Sequence, residues 1–469
     1  MQRKPTKHLY LLIPVLLFGM IASCNQKKTS DNEEKEEVSK TTERISDDSL
    51  FNLVQYKTFQ YFWEGAEPNS GMARERYHVD GEYPQDDKHV VTTGGSGFGV
   101  MAILVAIERG WITREEGFNR LKQIVDFLED ADRFHGLWPH WINGETGRVK
   151  PFSKFDDGAD GVESAFLFQG LITVMEYFKD GSDAEKALAS QIQQLWQEAE
   201  WSWFTKGDKV LYWHWSPNVG FKKMHKVQGY NECIIYYILA AASPTHTIDA
   251  DVFHEGWERG GDIESDQVTY GYELPLRSQG APIYGGPLFW AHYSYLGLDP
   301  RNLNDQYADY WTQNKNHTLI NRQWCVENPN NFQGYGPDCW GLTASYSYKE
   351  GGGVGYKAHA PGEKKDNGTI TPTAALSSYP YTPEYSMQAM RFFYDELGEK
   401  LMGPYGFYDA FNLQHDWFPK RYLAIDQGPI VVMMENHRTG LLWDLFMQNE
   451  DVKNGLKKLG FESPHLKEM

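Results

Sequence analysis

Apolar residues recur at helical spacing through most of the chain. Leu50, Leu53, Val54, Tyr56, Phe59 and Phe62 form one such face. The same period predicts helices over 96–109 and 113–131, the latter opened by the capping box Thr113…Glu116. A pair follows at 161–178 and 183–204, with Ser182…Glu185 as a second capping box. Further helices are predicted at 230–242, 287–295, 304–324, 383–397, 435–448 and 451–459. Strand-like alternation is scarce and short. Long connections rich in Gly, Trp, Tyr and Pro separate the helices, and no Pro/Ser linker divides the body.

Paired helices with such connections predict an all-α fold, an (α/α)6 barrel in which inner and outer helices alternate around a toroid. Function in that architecture sits on the loops and inner-helix ends at one mouth. Two packed bundles or a helical solenoid are the competing architectures; the lack of a fixed-period repeat weighs against the solenoid. The division predicted is an export signal at 1–23, a tether at 24–48 and one catalytic domain at 49–469.

Composition narrows the function. The 469 residues include 45 Lys+Arg against 64 Asp+Glu, a net charge of −19. A nucleic-acid binder needs a cationic face to release phosphate counterions, so none is expected. There are 16 Trp, 28 Tyr and 25 Phe. Their flat apolar faces with polar edges suit stacking on sugar rings as well as core packing. Three loop clusters mix such rings with hydrogen-bonding groups: Trp138 with His140, Trp213 with Trp215, and Trp290 with His292.

Arg3, Lys4 and Lys7 precede an apolar run at 9–21, and Ile21-Ala22-Ser23-Cys24 resembles a bacterial lipobox. The run is shorter than the about 20 residues a membrane-spanning helix needs. Cys24 would carry the lipid, giving an exported lipoprotein anchored at a membrane and facing the periplasm, with the cell surface as the alternative. Polar, mixed-charge residues at 25–48 suit a tether. Cys233, Cys325 and Cys339 remain in the body. An odd number rules out full pairing, leaving Cys325–Cys339 as the one bridge considered and Cys233 as a buried thiol. A monomer without cofactor or bound metal is expected.

The chemistry concentrates in carboxylates. Asp156, Asp160 and Glu163 are spaced i, i+4, i+7, so on a helix they would share one face and repel. N-capping is the simpler use of the first of them. A calcium loop starting at Asp156 fails because its twelfth position is Leu167. Glu232 leads directly into an apolar helix, where burial would raise its proton affinity toward that of a general acid. Asp426 opens an apolar run that ends in Glu435-Asn436-His437-Arg438. Glu435 and Arg438 suit either substrate contact or an i, i+3 ion pair. There is no HExxH, no P-loop, and no nucleophile elbow in Thr93-Gly94-Gly95-Ser96-Gly97-Phe98-Gly99. What remains is carboxylate-driven chemistry in a ring-lined cleft.

That glycine-rich run, the 156–163 acids, Tyr230-Asn231-Glu232, Pro287-Leu288-Phe289-Trp290-Ala291-His292-Tyr293-Ser294 and Ala424-Ile425-Asp426-Gln427-Gly428-Pro429 together resemble the "glycoamylase" domain family, which includes bacterial β-1,2-glucanases and a domain of cyclic β-1,2-glucan synthases. The resemblance implies an (α/α)6 barrel and inverting hydrolysis of β-1,2-glucans or their oligosaccharides, releasing sophorose or short sophorooligosaccharides. It implies functional acids at Asp156, Asp160, Glu163 and Glu232; Asp426 is an additional candidate from the residues themselves. Glu232 is assigned as general acid, with Asp426 or a member of the 156–163 cluster activating water. A non-catalytic glycan-binding lipoprotein, an α-glucan hydrolase of glucoamylase type and a lyase are the alternatives. Endo or exo action would depend on a loop closing the cleft, such as 349–373.

Overall fold

The computed structural model describes residues 44–278, 283–362 and 364–467. The export signal, Cys24 and nearly all of the tether lie outside the described residues. In chain order the helices are α1 (Asp47–Trp63), α2 (Thr93–Glu108), α3 (Arg114–Asp130), α4 (Gly161–Phe178), α5 (Asp183–Gln197), α6 (Ile234–Ala242) and α7 (Ala250–Val252). They continue as α8 (Tyr310–Glu327), α9 (Pro372–Leu376), α10 (Pro383–Arg391), α11 (Gly398–Leu401), α12 (Ala424–Arg438), α13 (Leu441–Met447) and α14 (Glu450–Lys458). Both capping boxes form as the sequence predicts, at Thr113–Glu116 and Ser182–Glu185.

Two burial patterns sort the helices into layers. All of α6, and nearly all of α2 and α4, is buried, as expected of helices wrapped on every side. By contrast α3 and α5 bury one stripe each, Leu121, Ile124, Val125 and Leu128 in the first case. The buried helices follow one another around a ring: α2 packs on α4, α4 on α6, and α6 on the turn Tyr293–Leu296. That turn meets the α9 region through His292 Nε2 and Ser378 Oγ, 2.9 Å apart. The ring returns through α9 on α12 and α12 on α2. Outside it, α1 covers α2 and α12, α5 covers α4, α14 covers α6 and α10 covers α9. The architecture is the (α/α)6 toroid the sequence predicts, with short two-stranded ribbons in its loops.

Glycines let the inner helices touch backbone to backbone. A Cβ on Gly97 would stand 2.2 Å from the Phe166 carbonyl oxygen, and one on Gly170 2.1 Å from that of Gly97. This explains why α2 begins at Thr93 and takes in the glycine-rich run, three residues before the predicted start. Tertiary packing there outweighs glycine's poor helix propensity of about 1 kcal/mol.

Other boundaries shift for equally local reasons. The predicted 287–295 helix is two 3-10 turns kinked at His292. The stretch at 304–309 forms a turn closed between Asn304 and Asp309, and Asp309 then caps α8. The predicted 183–204 helix ends at Gln197, and that at 383–397 widens into a π turn after Arg391. The helix placed at 435–448 is two: α12 starts at Ala424, accommodating Pro429 in its interior, and the left-handed Gly440 separates it from α13. Asp156, Asp160 and Glu163 do not share a helix face. Asp160 is the N-cap of α4, accepting from the Val162 and Glu163 amides, while Asp156 lies in the preceding loop. Cys233, Cys325 and Cys339 are all buried free thiols, so the considered Cys325–Cys339 bridge is absent.

Candidate active site

The N-terminal ends of the inner helices gather at one mouth of the ring. Gly94 opens α2, Glu163 lies in the first turn of α4, Glu232 immediately precedes α6, and Asp426 lies in the first turn of α12. Unsatisfied amides and the positive dipole end make such positions favourable for carboxylates. Between them lies a cavity of about 320 Å³, whose carboxylates are Glu75, Glu163 and Glu232. Rings form much of its wall, including Trp141, Trp213, Phe289, Tyr293 and Tyr356. Tyr356 comes from the hairpin pairing Ala344–Lys349 with Gly353–Ala358 and remains 62% exposed at the rim.

Two of these carboxyls titrate near neutrality. Glu232 is pushed up to about 7 by burial, opposed by weak local hydrogen bonding that includes the Cys233 thiol. Glu163 is also raised to about 7 by burial, despite the nearby His140 cation. Its Oε2 accepts the Gly94 amide at 2.8 Å, and its Oε1 stands 3.9 Å from His140 Nε2. The Glu163 and Asp160 carboxylates on either side raise His140 to about 10, against the effect of its burial.

Asp156 and Asp160 are buried behind this wall. Asp156 Oδ2 is 3.0 Å from Lys223 Nζ and 3.1 Å from His214 Nε2. These partners hold its carboxyl down at about 2 against its own burial. His140, Asp156 and Asp160 are close enough together to consider a cation. However, His140 Nδ1 is turned onto Asp160 and the Lys223 ammonium already sits on Asp156, so these donors satisfy one another. Asp426 is buried beyond Tyr293, whose hydroxyl donates to its Oδ1 at 3.4 Å. Its proton affinity is raised well above the ordinary range by burial and by the neighbouring Asp409.

The sequence-derived binding residues divide between cavity and frame. His140 and Trp213 line the cavity. Trp138 is fully buried and donates its indole N–H to the Leu128 carbonyl. Trp215 packs edge-on against His135, Trp290 fills the space beside Gly286, and His292 ties two inner segments together through Ser378. Glu435 and Arg438 lie at the opposite end of α12 from Asp426. Glu435 is buried and accepts from Gln55, Arg438 and Thr439, making the internal ion pair rather than a substrate contact.

Sequence reasoning missed Glu75, Tyr356 and Asp409, whereas Trp141 closes the aromatic cluster that contains Trp138 and His140. Glu75 sits in the alternating Arg74-Glu75-Arg76 and Tyr356 in a glycine-rich hairpin, patterns that carry no signal of a cleft. Tyr293 was recoverable, since it falls within the Pro287–Ser294 motif.

Comparison with known proteins agrees with this geometry. The Glycoamylase family matches residues 224–450. The chain is 43% identical over 451 residues to an exo β-1,2-glucooligosaccharide sophorohydrolase (non-reducing end) of Parabacteroides distasonis, covering 92% of this chain and 60% of that relative. It therefore spans about three fifths of the length of this curated relative. It is 63% identical to an endo-β-1,2-glucanase from Chitinophaga pinensis solved with sophorotriose and glucose, with a TM-score of 0.89 over 90% of this chain and 100% of that one. An endo-β-1,2-glucanase from Talaromyces funiculosus solved with sophorose, 14% identical, shares the fold alone at a TM-score of 0.61, with 88% of each chain covered.

Proposed function

The chain belongs to the family of bacterial β-1,2-glucanases with the glycoamylase-type domain, and from that premise we propose that it hydrolyses β-1,2-glucans or β-1,2-glucooligosaccharides with inversion, releasing sophorose or short sophorooligosaccharides. The observation that carries this reading is the presence of Glu163 and Glu232 on one ring-walled cavity, both titrating near neutral pH. Inversion requires one carboxyl to protonate the leaving oxygen and another to deprotonate water.

The surroundings support a division of these roles. Glu163 has a cationic imidazole and a backbone amide beside it, both favouring its ionised form, and so serves as the base. The carboxyl of Glu232 has no such cation among its influences and keeps the proton, so it serves as the acid. Asp426 is buried behind Tyr293, with its proton affinity raised by burial and by Asp409, and Asp156 and Asp160 are committed to Lys223, the two histidines and the α4 cap. Trp213, Trp141 and Tyr356 supply stacking faces for glucose rings.

Timed digestion of linear β-1,2-glucan, with the first product's anomer read by proton NMR, tests the reading. The α-anomer appearing first supports inversion. A first-formed β-anomer, an ultraviolet-absorbing unsaturated product or intact polymer would overturn it, the last favouring a glycan-binding role. Sophorose alone from the outset indicates exo action, and mixed lengths indicate endo action.

The lipobox-like Ile21-Ala22-Ser23-Cys24 supports a further part of the proposal, a lipid anchor on Cys24 that holds the protein at a membrane facing the periplasm. Metabolic palmitate labelling abolished by Cys24→Ala is the expected result; labelling of the variant would refute it.

A further inference from the structure

Asp156 and Asp160 are buried in the motif that carries Glu163, yet neither lines the cavity. Their surroundings form a connected chain of bases and acids, in which the Lys223 ammonium also meets His214 Nε2 directly at 3.2 Å. Lys223 Nζ is 3.0 Å from Asp156 Oδ2, and that oxygen is 3.1 Å from His214 Nε2. His214 Nε2 is 3.5 Å from Asp160 Oδ2, which lies 3.0 Å from His140 Nδ1. His140 Nε2 then faces Glu163 Oε1 at 3.9 Å.

The fold builds this chain from separate pieces. The antiparallel ribbon of Ala159–Asp160 with His214–Trp215 sets Asp160 opposite His214. His140 comes from the loop after α3. Lys223 comes from the loop after that ribbon, and its side chain is 32% exposed. Each inner carboxylate has a base on both sides, whereas Glu163, at the cavity end, has one. The Lys223 and His140 cations face the Asp156 and Asp160 carboxylates, and His214 sits between the two. The other groups bearing on Glu163 are the Gly94 amide of α2, Glu75, Cys233, Tyr293, and Tyr356 of the hairpin. None of these supplies a second cation, and the Arg76 guanidinium that shares the cavity is paired with Asp87 at 3.3 Å and Glu75 at 3.6 Å.

We propose that His140, His214 and Lys223 are positioning residues that set where Glu163 titrates, with Lys223 as the distal counter-ion reaching in from an exposed loop. Through Asp156, His214 and Asp160, the Lys223 charge stabilises the imidazolium–carboxylate arrangement that keeps Glu163 available as a base. This inference rests on the assignment of Glu163 to water activation.

The test is a titration of the Glu163 carboxyl by carbon-13 NMR in the free enzyme, paired with the pH profile of kcat/KM on sophorooligosaccharides. Removing a cation raises a carboxyl's proton affinity. Lys223→Met should therefore move the Glu163 titration, and the acidic limb of the profile, to higher pH by about half a unit. Lys223→Arg should return both, and His140→Gln should move the titration by more than about one unit. A merely structural lysine would lower melting temperature without moving either midpoint. A Glu163 midpoint unchanged in Lys223→Met, with the fold intact by circular dichroism, overturns the proposal. If the NMR midpoint moves and the acidic limb does not, the chain stands and the assignment of Glu163 as base falls.

Discussion

Replacing Glu232 with Gln should inactivate the enzyme and stabilise it, and both effects follow from the same burial. Glu232 is 9% exposed, and its carboxyl is raised from 4.5 to about 7. In the folded protein it keeps its proton over a pH range in which the unfolded chain has already released it. Stability therefore falls as pH rises from about 4.5 to 7 and stays lowered above that range. At about 1.4 kcal/mol per pH unit, the loss at pH 8 is about 3 kcal/mol. Gln fills the same space without ionising, so Glu232→Gln should recover most of it. For a body of this size that is about 3 °C in melting temperature at pH 8, with little change at pH 4.5. Removal of a general acid should meanwhile lower kcat by about 10²–10⁴-fold. Calorimetry at the two pH values and initial-rate release of reducing ends from sophorooligosaccharides measure the two sides. Turnover close to that of the unsubstituted enzyme would refute Glu232 as the acid. A melting-temperature change independent of pH would refute the buried-proton argument even if activity were lost.

Tyr356 stands exposed on the cavity rim, so Tyr356→Ala should raise KM by about 3–10-fold with kcat within about twofold, as expected for a stacking face worth about 0.5–1.5 kcal/mol; unchanged KM would remove it from substrate binding. Gly97→Ala places a Cβ 2.2 Å from the Phe166 carbonyl oxygen and 2.6 Å from Leu167 Cα. Parting α2 from α4 should cost about 1–3 kcal/mol in urea unfolding, and an unaltered midpoint would show that the inner helices tolerate separation. Arg438→Met strips the cation from buried Glu435 at the end of α12 remote from the cavity. It should cost about 3–5 kcal/mol of stability while kcat/KM stays within about twofold; a large fall in kcat/KM without destabilisation would place Arg438 in the substrate path.

How far the residues could be read depended on the range of the forces involved. Helix termini set by a neighbour three residues away, as at Thr113 and Ser182, were legible because a capping box is local chemistry. The start of α2 at Thr93 was not, because its glycines are placed by the backbone of α4 nearly seventy residues later in the chain. The acidic motif was found by composition, but its i, i+4, i+7 spacing suggested a shared helix face that does not exist. Asp160 instead caps α4 and Asp156 is held by Lys223 and His214. The aromatic clusters gave mixed results for a related reason. Neighbours in sequence such as Trp213 and Trp215 pass into different environments, one on the cavity and one against His135.

The chain by itself determined the helical layers, because a helix apolar all round must be buried and one apolar on a stripe must cover it. It also pointed to carboxylates and rings as the candidate site. Only the tertiary structure decided which acids work together, because four inner-helix N-termini far apart in sequence meet at one mouth. There, both carboxyls are buried, but Glu163 has the His140 cation alongside and Glu232 has none, and on that difference the proposed division into base and acid rests.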